Sequence, residues 1–413
     1  MNGIVRHKGD ILNILFLTLS SMEDIEQGGI YTDLVRELAS TGINMYVVSP
    51  REKRANLPTK LIRKDNIHIL LVRTGNITKT NFIEKGISTI SIERQYLAAI
   101  NRYFKGVHFD MLMYATPPIT FEKVVRHFKD KHDSRTYLML KDIFPQNAVD
   151  MGLMKPGSLI YRYFRKKEQK IYTISDYIGC MSPANVAYVL KNNPEIDEGK
   201  VELFPNTIKV MPHNSTQCSY EIREKLGIPT DKIVFVFGGN LGIPQGIDFL
   251  VDCIYELRDY KQAYFVIVGD GTERDRIEAK VKQLQLNNLS LLRHLPKADY
   301  DRLMFECDVG LVCLDKRFTI PNYPSRTLAY MDMALPILAA TDNASDIRVL
   351  LNETQCGLWA YSGDREGFKE QVRVLCEDRV MRTKMGQKGR RYLEEHFDVS
   401  RSVGIIAGHL DLV

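Results

Sequence analysis

The sequence predicts an α/β chain built as two doubly wound parallel-sheet domains. Three observations predict it. Short apolar runs, suited to strands buried on both faces, recur along the chain, as at residues 14–18, 111–115 and 335–340. Longer segments with helical spacing separate them. The alternation stops in the polar, aperiodic stretch 205–220, then restarts. A chain of 413 residues also has room for two domains of about 200 residues each.

Taken in order, the first half is expected to place strands at 14–18, 45–49, 67–72, 111–115, 137–140, 177–181 and 201–204. Its first helix opens at Gln27-Gly28-Gly29, runs through Ala39 and ends at Gly42, where glycine stops a helix well. Further helices are expected at 87–104, after Pro117-Pro118, at 161–174 and at 183–190. The second half is expected to place strands at 232–237, 264–268, 289–292, 309–314 and 335–340. Its helices fall at 245–257, 272–284, 298–307, 326–333, 366–376, 381–397 and 399–412. The division is 1–207, 208–390 and a helical tail, 391–413, returning toward the first domain.

Each domain can bury a core, since 44% of residues are apolar and 26% charged. The net charge of +5 is uneven. Residues 1–205 hold 29 Lys and Arg against 22 Asp and Glu, whereas the remainder holds 27 against 29. The basic half suits an anionic membrane or a phosphorylated ligand, or is simply solvated. Seven scattered cysteines without a Cys-x-x-Cys pair read as reduced core residues, which points to the cytoplasm. No His-Glu-x-x-His and no tight His/Cys cluster occurs, so no metal is expected. The apolar run 11–19 is interrupted by Asn13 and followed at once by acids and glycines, so it reads as a first strand rather than a leader. No apolar run is long enough to span a bilayer.

Three strand-to-helix turns of the second half should meet at one sheet edge, where ligands of such sheets bind. The first is Phe237-Gly238-Gly239-Asn240-Leu241-Gly242-Ile243-Pro244-Gln245-Gly246. It is not Gly-x-Gly-x-x-Gly with an acid about 20 residues on, so a nicotinamide dinucleotide is poorly supported. The second is Val268-Gly269-Asp270-Gly271, read either as a ligand loop or as a tight turn. The third is Tyr323-Pro324-Ser325-Arg326. There Pro321 and Pro324 bar a helix interior and Ser325 is the expected N-cap; the stretch reads either as an ordinary capped helix or as a phosphate site with Arg326 as the cation in its first turn.

These turns, in this order, resemble those of family 4 glycosyltransferases of the GT-B fold, in which two Rossmann-like domains face a central cleft. Gly28-Gly29, the interdomain Phe204-Pro205-Asn206 and the closing Leu335-Pro336 complete a resemblance that covers nearly the whole chain. It is strongest toward bacterial enzymes that build O-antigen or capsular polysaccharide. The resemblance implies a retaining hexosyltransferase that moves a sugar from a nucleotide-diphosphate donor, expected to be a UDP-sugar, to a lipid-linked or growing saccharide. It implies no required cofactor or metal, stabilisation of the departing diphosphate, and domain closure over the acceptor.

Carried over position by position, the resemblance implies donor contacts at Gly28, Gly29, Gly239, Asn240, Gln245, Gly246, His294, Pro324, Ser325, Arg326, Thr327 and Leu328. Arg326 and Asp142 are the expected catalytic residues, with Lys141, Asp142 and Asn322 toward the sugar or acceptor. His294 is expected to lie beside the base through its backbone rather than to act as an acid. Several positions depart from the family. Asn240 and Gln245 stand where relatives carry Arg and Lys, and Arg326 where many carry Lys. The family's two glutamates, the second of which grips the ribose, fall on Pro321 and Ala329. Lys141-Asp142 replaces a His-Asp pair. Two alternatives stay open: a nucleotide-sugar epimerase, and a non-catalytic nucleotide-sugar-binding partner, which the missing glutamates favour.

Residues 161–170, from Tyr161 to Lys170, are basic and aromatic at helical spacing, so they suit peripheral contact with the inner face of a membrane or a solvated helix with an aromatic stripe. No nucleic-acid motif accompanies them, and no nucleic-acid partner is expected.

Overall fold

The computed structural model describes residues 11–77, 82–212 and 220–412. They form two compact units. The first comprises the chain to Val149, Met154–Lys209 and the residues from Val399 onward; the second comprises Asp150–Leu153 and Val210–Asp398. The tail therefore joins the first unit only from Val399, later than the expected 391. The helix Arg379–His396 stays with the second unit because Arg390 bonds the Asp332 carbonyl and carboxylate at 2.7 and 2.8 Å.

The first unit is an eight-stranded sheet. Its strands are β1 (Asn13–Leu17), β2 (Asn44–Glu52), β3 (Lys60–Lys64), β4 (Ile67–Thr74), β5 (Met111–Ala115), β6 (Arg135–Leu140), β7 (Tyr177–Cys180) and β8 (Val201–Leu203), in the order β3-β4-β2-β1-β5-β6-β7-β8. Neighbours run parallel except β3, which pairs antiparallel with β4. β5 is buried at every residue, as its unbroken apolar run requires. β3 was not expected: Lys-Leu-Ile-Arg-Lys is too polar and too exposed to give an apolar signal. Val399, Val403 and Ile406 of the last helix share a core with Leu34, Val35 and Leu38 of the first. This union of distant segments closes the unit.

The second unit is a six-stranded parallel sheet. Its strands are β9 (Ile233–Gly238), β10 (Ala263–Val268), β11 (Leu289–Leu292), β12 (Val309–Cys313), β13 (Ile337–Thr341) and β14 (Gly357–Tyr361), in the order β11-β10-β9-β12-β13-β14. The edge strand β14 and the helix Ile347–Thr354 before it were not expected. β14 is only half-buried and starts on a glycine, so no apolar run marks it.

Strand order fixes where a ligand can sit in each unit. In the second, the chain winds from β9 to β10 and β11 on one side, then crosses to β12 on the other. The loops leaving β9 and β12 therefore diverge and open a crevice at the carboxyl edge. Those loops are residues 239–246 and 314–325. In the first unit the same reversal falls between β1 and β5, whose following loops carry Gly28-Gly29 and Thr116.

Candidate functional site

The turn after β9 is built by backbone bonds to its neighbours. Gly239 N–H donates to the Val268 carbonyl at 3.0 Å, Leu241 N–H to Asp270 at 2.9 Å, and Glu273 N–H returns to the Leu241 carbonyl at 2.9 Å. The two glycine turns thus form one laced surface. A Cβ at Gly269 would lie 1.9 Å from the Gly239 carbonyl oxygen, and one at Gly271 would lie 2.4 Å from that of Leu241. These two glycines serve the packing of turn against turn. This favours the tight-turn reading of residues 268–271 over direct ligand approach. Arg274 braces the same surface, donating to the carbonyls of Gly269 (2.8 Å) and Leu292 (2.6 Å).

Gly246 ends the first turn in the left-handed region, at φ 57°, before the helix Ile247–Glu256. A side chain there would press on the Leu314 carbonyl and the Asp315 backbone. Asp315 N–H donates to the Pro244 carbonyl at 2.9 Å, so the loops after β9 and β12 are tied across the crevice floor.

Arg326 reaches this floor. Its Nη2 donates to the Gln245 side-chain oxygen at 2.5 Å, and its guanidinium carbon lies 4.1 Å from the Phe237 ring centroid. Nη2 also sits 3.2 Å from where a Gly239 Cβ would be, a tight contact, and the φ of 138° at this residue itself favours glycine. The residue keeps some exposed surface, but Nη1 is buried and has no hydrogen-bond partner. No carboxylate pairs with it among the described residues. Burial accordingly pulls its pKa below the usual guanidinium value, and the opposing influences are only the Tyr330, Cys313 and Tyr300 side chains. A fixed cation with an unused donor at the sheet crossover can accept an anionic oxygen.

The other expected donor contacts are placed variously. Asn240 and His294 are exposed, and Pro324 lies beside Arg326 in sequence with partial exposure. Ser325 precedes the helix Arg326–Asp332 but makes no side-chain cap bond, because its own backbone is already helical (φ −63°, ψ −22°). Its hydroxyl is exposed rather than spent on capping. The Thr327 and Leu328 N–H groups bond the Pro324 and Ser325 carbonyls at 3.2 and 3.1 Å. Leu328 is a core side chain, and the Thr327 hydroxyl is buried without a partner. Asn322 spends its amide on a local turn, donating to the Ile320 carbonyl at 3.2 Å.

In the first unit, the Gly28-Gly29 turn is less bare than expected. Gly29 N–H donates to Asp33 Oδ1 at 3.3 Å, so the helix Ile30–Ser40 carries its own anion in its first turn. Lys141 also departs from expectation. Its Nζ points back to the Phe204 carbonyl at 3.3 Å and lies 5.1 Å from the Phe204 ring centroid. Burial pulls its pKa down to about 7. Asp142 accepts from Asn147 Nδ2 at 2.5 Å, and its backbone is held by Thr116, whose hydroxyl also receives the Lys141 N–H at 3.0 Å. Lys141 and Asp142 therefore diverge from adjacent positions instead of acting as one pair.

Residues 219–392 match the family model described as Glycosyl transferases group 1, a span containing all three turns. The chain is 25% identical over 310 residues to a probable glycosyltransferase, WbjE, of Pseudomonas aeruginosa, covering 72% of this chain and 74% of WbjE. The structure matches a sucrose-phosphate synthase of Thermosynechococcus elongatus at TM-score 0.75 and 15% identity, covering 97% and 98% of the two chains. It also matches Anabaena HepE, solved in complex with UDP, at TM-score 0.69 and 14% identity over 97% and 100%.

The chain has the GT-B glycosyltransferase fold.

The second unit of this GT-B chain holds the turns that the family model spans, with Arg326 at their meeting point. Two contributors escaped sequence reasoning. Phe237 and Tyr300 both flank Arg326; Phe237 opens the first turn but reads there only as the last apolar residue of a strand, and Tyr300 reads as one residue of a polar helix. Only the 81-residue separation of Arg326 and Gln245 being closed by the sheet crossover reveals the cation's setting. Among the described residues no group of three or more His, Cys, Asp or Glu could hold a metal ion.

Proposed function

We propose that this chain is a retaining glycosyltransferase that moves a sugar, from UDP in the first instance, to a lipid-linked or growing saccharide of a cell-surface polysaccharide. One observation carries the reading: a guanidinium held by Gln245 and Phe237, with no carboxylate partner among the described residues, at the crossover of the sheet that the group 1 glycosyltransferase model spans. As the sugar–phosphate bond lengthens, negative charge collects on the diphosphate. A preorganised cation at the crevice floor stabilises that charge most where it is greatest. The exposed Ser325 hydroxyl and the turn at Gly239-Asn240 lie on the same loops and complete the donor side. Asp142 is the acceptor-side carboxylate in this reading. No side chain is assigned as general base; the leaving phosphate takes the acceptor proton.

The test is a thermal-shift screen of the full chain against UDP, GDP, TDP, CMP and NAD. A ligand present at about 100 times its dissociation constant adds about 2.7 kcal/mol. A shift with one nucleoside diphosphate supports the reading and names the donor class; a shift with NAD alone overturns it. The absence of glutamate at Pro321 and Ala329 favours one other reading, a nucleotide-sugar-binding partner without catalysis. Slow hydrolysis of the bound donor without acceptor separates the two, since a pure binder leaves it intact.

The basic helix belongs to the same proposal. Leu159, Ile160 and Tyr163 are 85%, 44% and 43% exposed at the start of the helix Leu159–Ile174, interleaved with Arg162 and Lys166. An exposed apolar edge among cations suits the surface of an anionic bilayer holding a lipid-linked acceptor. Sedimentation with anionic vesicles should fall steeply with salt, and binding indifferent to salt or to Leu159→Ser would refute it. Among the described residues no helix is long and apolar enough to cross a membrane.

A further inference from the structure

Tyr300 stands on the helix Lys297–Glu306, which follows β11, and its phenol rests on the start of the first glycine turn. A Cβ at Gly238 would fall 1.9 Å from the Tyr300 hydroxyl oxygen and 2.8 Å from Cζ, so the ring reaches this place only because residue 238 is glycine. The hydroxyl makes no hydrogen bond among the described residues, although the residue is only partly exposed. The neighbouring phenol behaves quite differently. Tyr330 is fully buried, bonds the carbonyls of Val236 (3.2 Å) and Leu311 (3.0 Å), and receives Gly238 N–H at 3.4 Å. One tyrosine thus anchors the turn from below, with its hydrogen bonds complete. The other lies on the same glycine with an unused donor, near the Arg326 guanidinium.

Two unused donors, the Tyr300 hydroxyl and Arg326 Nη1, therefore flank one glycine turn at the crevice. A buried donor left unpaired, as Arg326 Nη1 is, costs free energy unless a ligand pairs it. An aromatic hydroxyl beside a guanidinium is a donor set for an anionic oxygen. We infer that Tyr300 is a donor-binding residue whose hydroxyl, together with Arg326, hydrogen-bonds an oxygen of the nucleotide's diphosphate. The inference rests on the nucleotide-sugar reading above. It assigns to a neutral hydroxyl part of the work that a second cation in the turn would do, since Asn240 and Gln245 supply none.

The test is calorimetric binding of UDP, uridine and inorganic pyrophosphate to the full chain and to Tyr300→Phe, which keeps the ring against Gly238. Tyr300→Phe should weaken UDP and pyrophosphate about tenfold, a typical consequence of losing a hydrogen bond to a charged group. Uridine binding should be unchanged. In an Arg326→Ala background the same change should cost less than tenfold, because both groups share one anion. Equal loss of UDP and uridine would move the hydroxyl to the ribose and overturn the diphosphate assignment; unchanged UDP binding would overturn it outright. If the unaltered chain binds no nucleoside diphosphate, the transferase reading falls as well, and the two failures are told apart. Should Tyr300→Phe fold poorly, 3-fluorotyrosine at position 300 of the full chain replaces it. A pyrophosphate-dependent fluorine shift supports the inference, and a resonance indifferent to pyrophosphate overturns it.

Discussion

Replacing Arg326 with Met should separate binding from stability, because the same feature acts oppositely on the two. In the free protein, Nη1 is buried without a partner, at a cost of about 1–3 kcal/mol. The cation also forfeits hydration that no carboxylate offsets. Against this stand its stacking on Phe237, about 0.5–2 kcal/mol, and its bond to Gln245. Gln245 is partly exposed, so its oxygen turns to water when the arginine leaves. Methionine follows the same path over Phe237 and recovers about 0.3–1.5 kcal/mol through sulfur–aromatic contact. The losses are therefore largely returned, and the orphaned donor is removed. Urea unfolding should show stability unchanged or raised by up to about 2 kcal/mol. Nucleotide affinity should move the other way: charged hydrogen bonds to a diphosphate are worth about 1.5–3 kcal/mol, so UDP should bind roughly 10- to 150-fold more weakly by calorimetry. A variant that loses more than about 2 kcal/mol of stability while binding UDP normally would make Arg326 a structural cation, and the site would have to be sought elsewhere.

Three other perturbations test separate parts of the structure. Ala329→Glu restores an acid three residues beyond Arg326 on a partly exposed position, and should tighten UDP about two- to tenfold; weaker binding would show that the new carboxylate instead neutralises Arg326. Gly269→Ala drives a methyl against the Gly239 carbonyl oxygen, backbone against backbone, and should cost about 1–3 kcal/mol or more in urea unfolding; a cost within about 0.5 kcal/mol would mean the two turns part easily. Lys141→Met should stabilise the chain more at pH 6–7 than at pH 10. Between about 7 and the ordinary lysine value of 10.5 the unfolded chain holds a proton that the folded chain has lost. Native stability then rises with pH at up to about 1.4 kcal/mol per unit, and the benefit of removing the amine shrinks over that window. A benefit that does not depend on pH would show that Lys141 stays charged in place.

Much of the fold was legible because parallel sheets write their strands as unbroken apolar runs. β5, β12 and β13 are buried at every position and could be read directly. β3 and β14 could not, since each is an edge strand with only partial burial, and a half-exposed strand does not demand an unbroken apolar run. The site was legible by position more than by partner. Arg326 follows from its turn, but Gln245 as its hydrogen-bond acceptor and Phe237 as its platform depend on the crossover of β9 and β12. Hydrogen-bond spending was also hidden. Nothing in the string Gly28-Gly29-Ile30 says that Asp33 takes an N–H of that turn, or that Lys141 turns inward to the Phe204 carbonyl, a contact spanning 63 residues.

The state of Arg326 gains its meaning from the arginines that are buried. Arg223 directs its terminal nitrogens to the carbonyls of Glu306, Pro229 and Lys232. Arg274 meets those of Gly269, Leu292 and Leu291. Arg382 meets Leu375 and Cys376, and Arg51 meets Pro58 and Glu23. Where Arg51, Arg223 and Arg274 leave an atom unpaired, it is Nε, which offers one donor along the side chain, not the pair at the tip. Among the described residues this chain thus meets the tips of those buried guanidinium groups with carbonyls or carboxylates and leaves none of their tip nitrogens buried and unpartnered, whereas a buried tip nitrogen of Arg326 is unmet. A sequence that can satisfy such groups elsewhere departs from that practice where something else completes the set. Gln245 strengthens the point. A glutamate there would satisfy Arg326 and cancel its charge; a glutamine orients the guanidinium and leaves the charge available to an incoming anion. A cation already desolvated and already aimed needs less rearrangement when the anion arrives, so more of the interaction appears as affinity and as stabilisation of the leaving group.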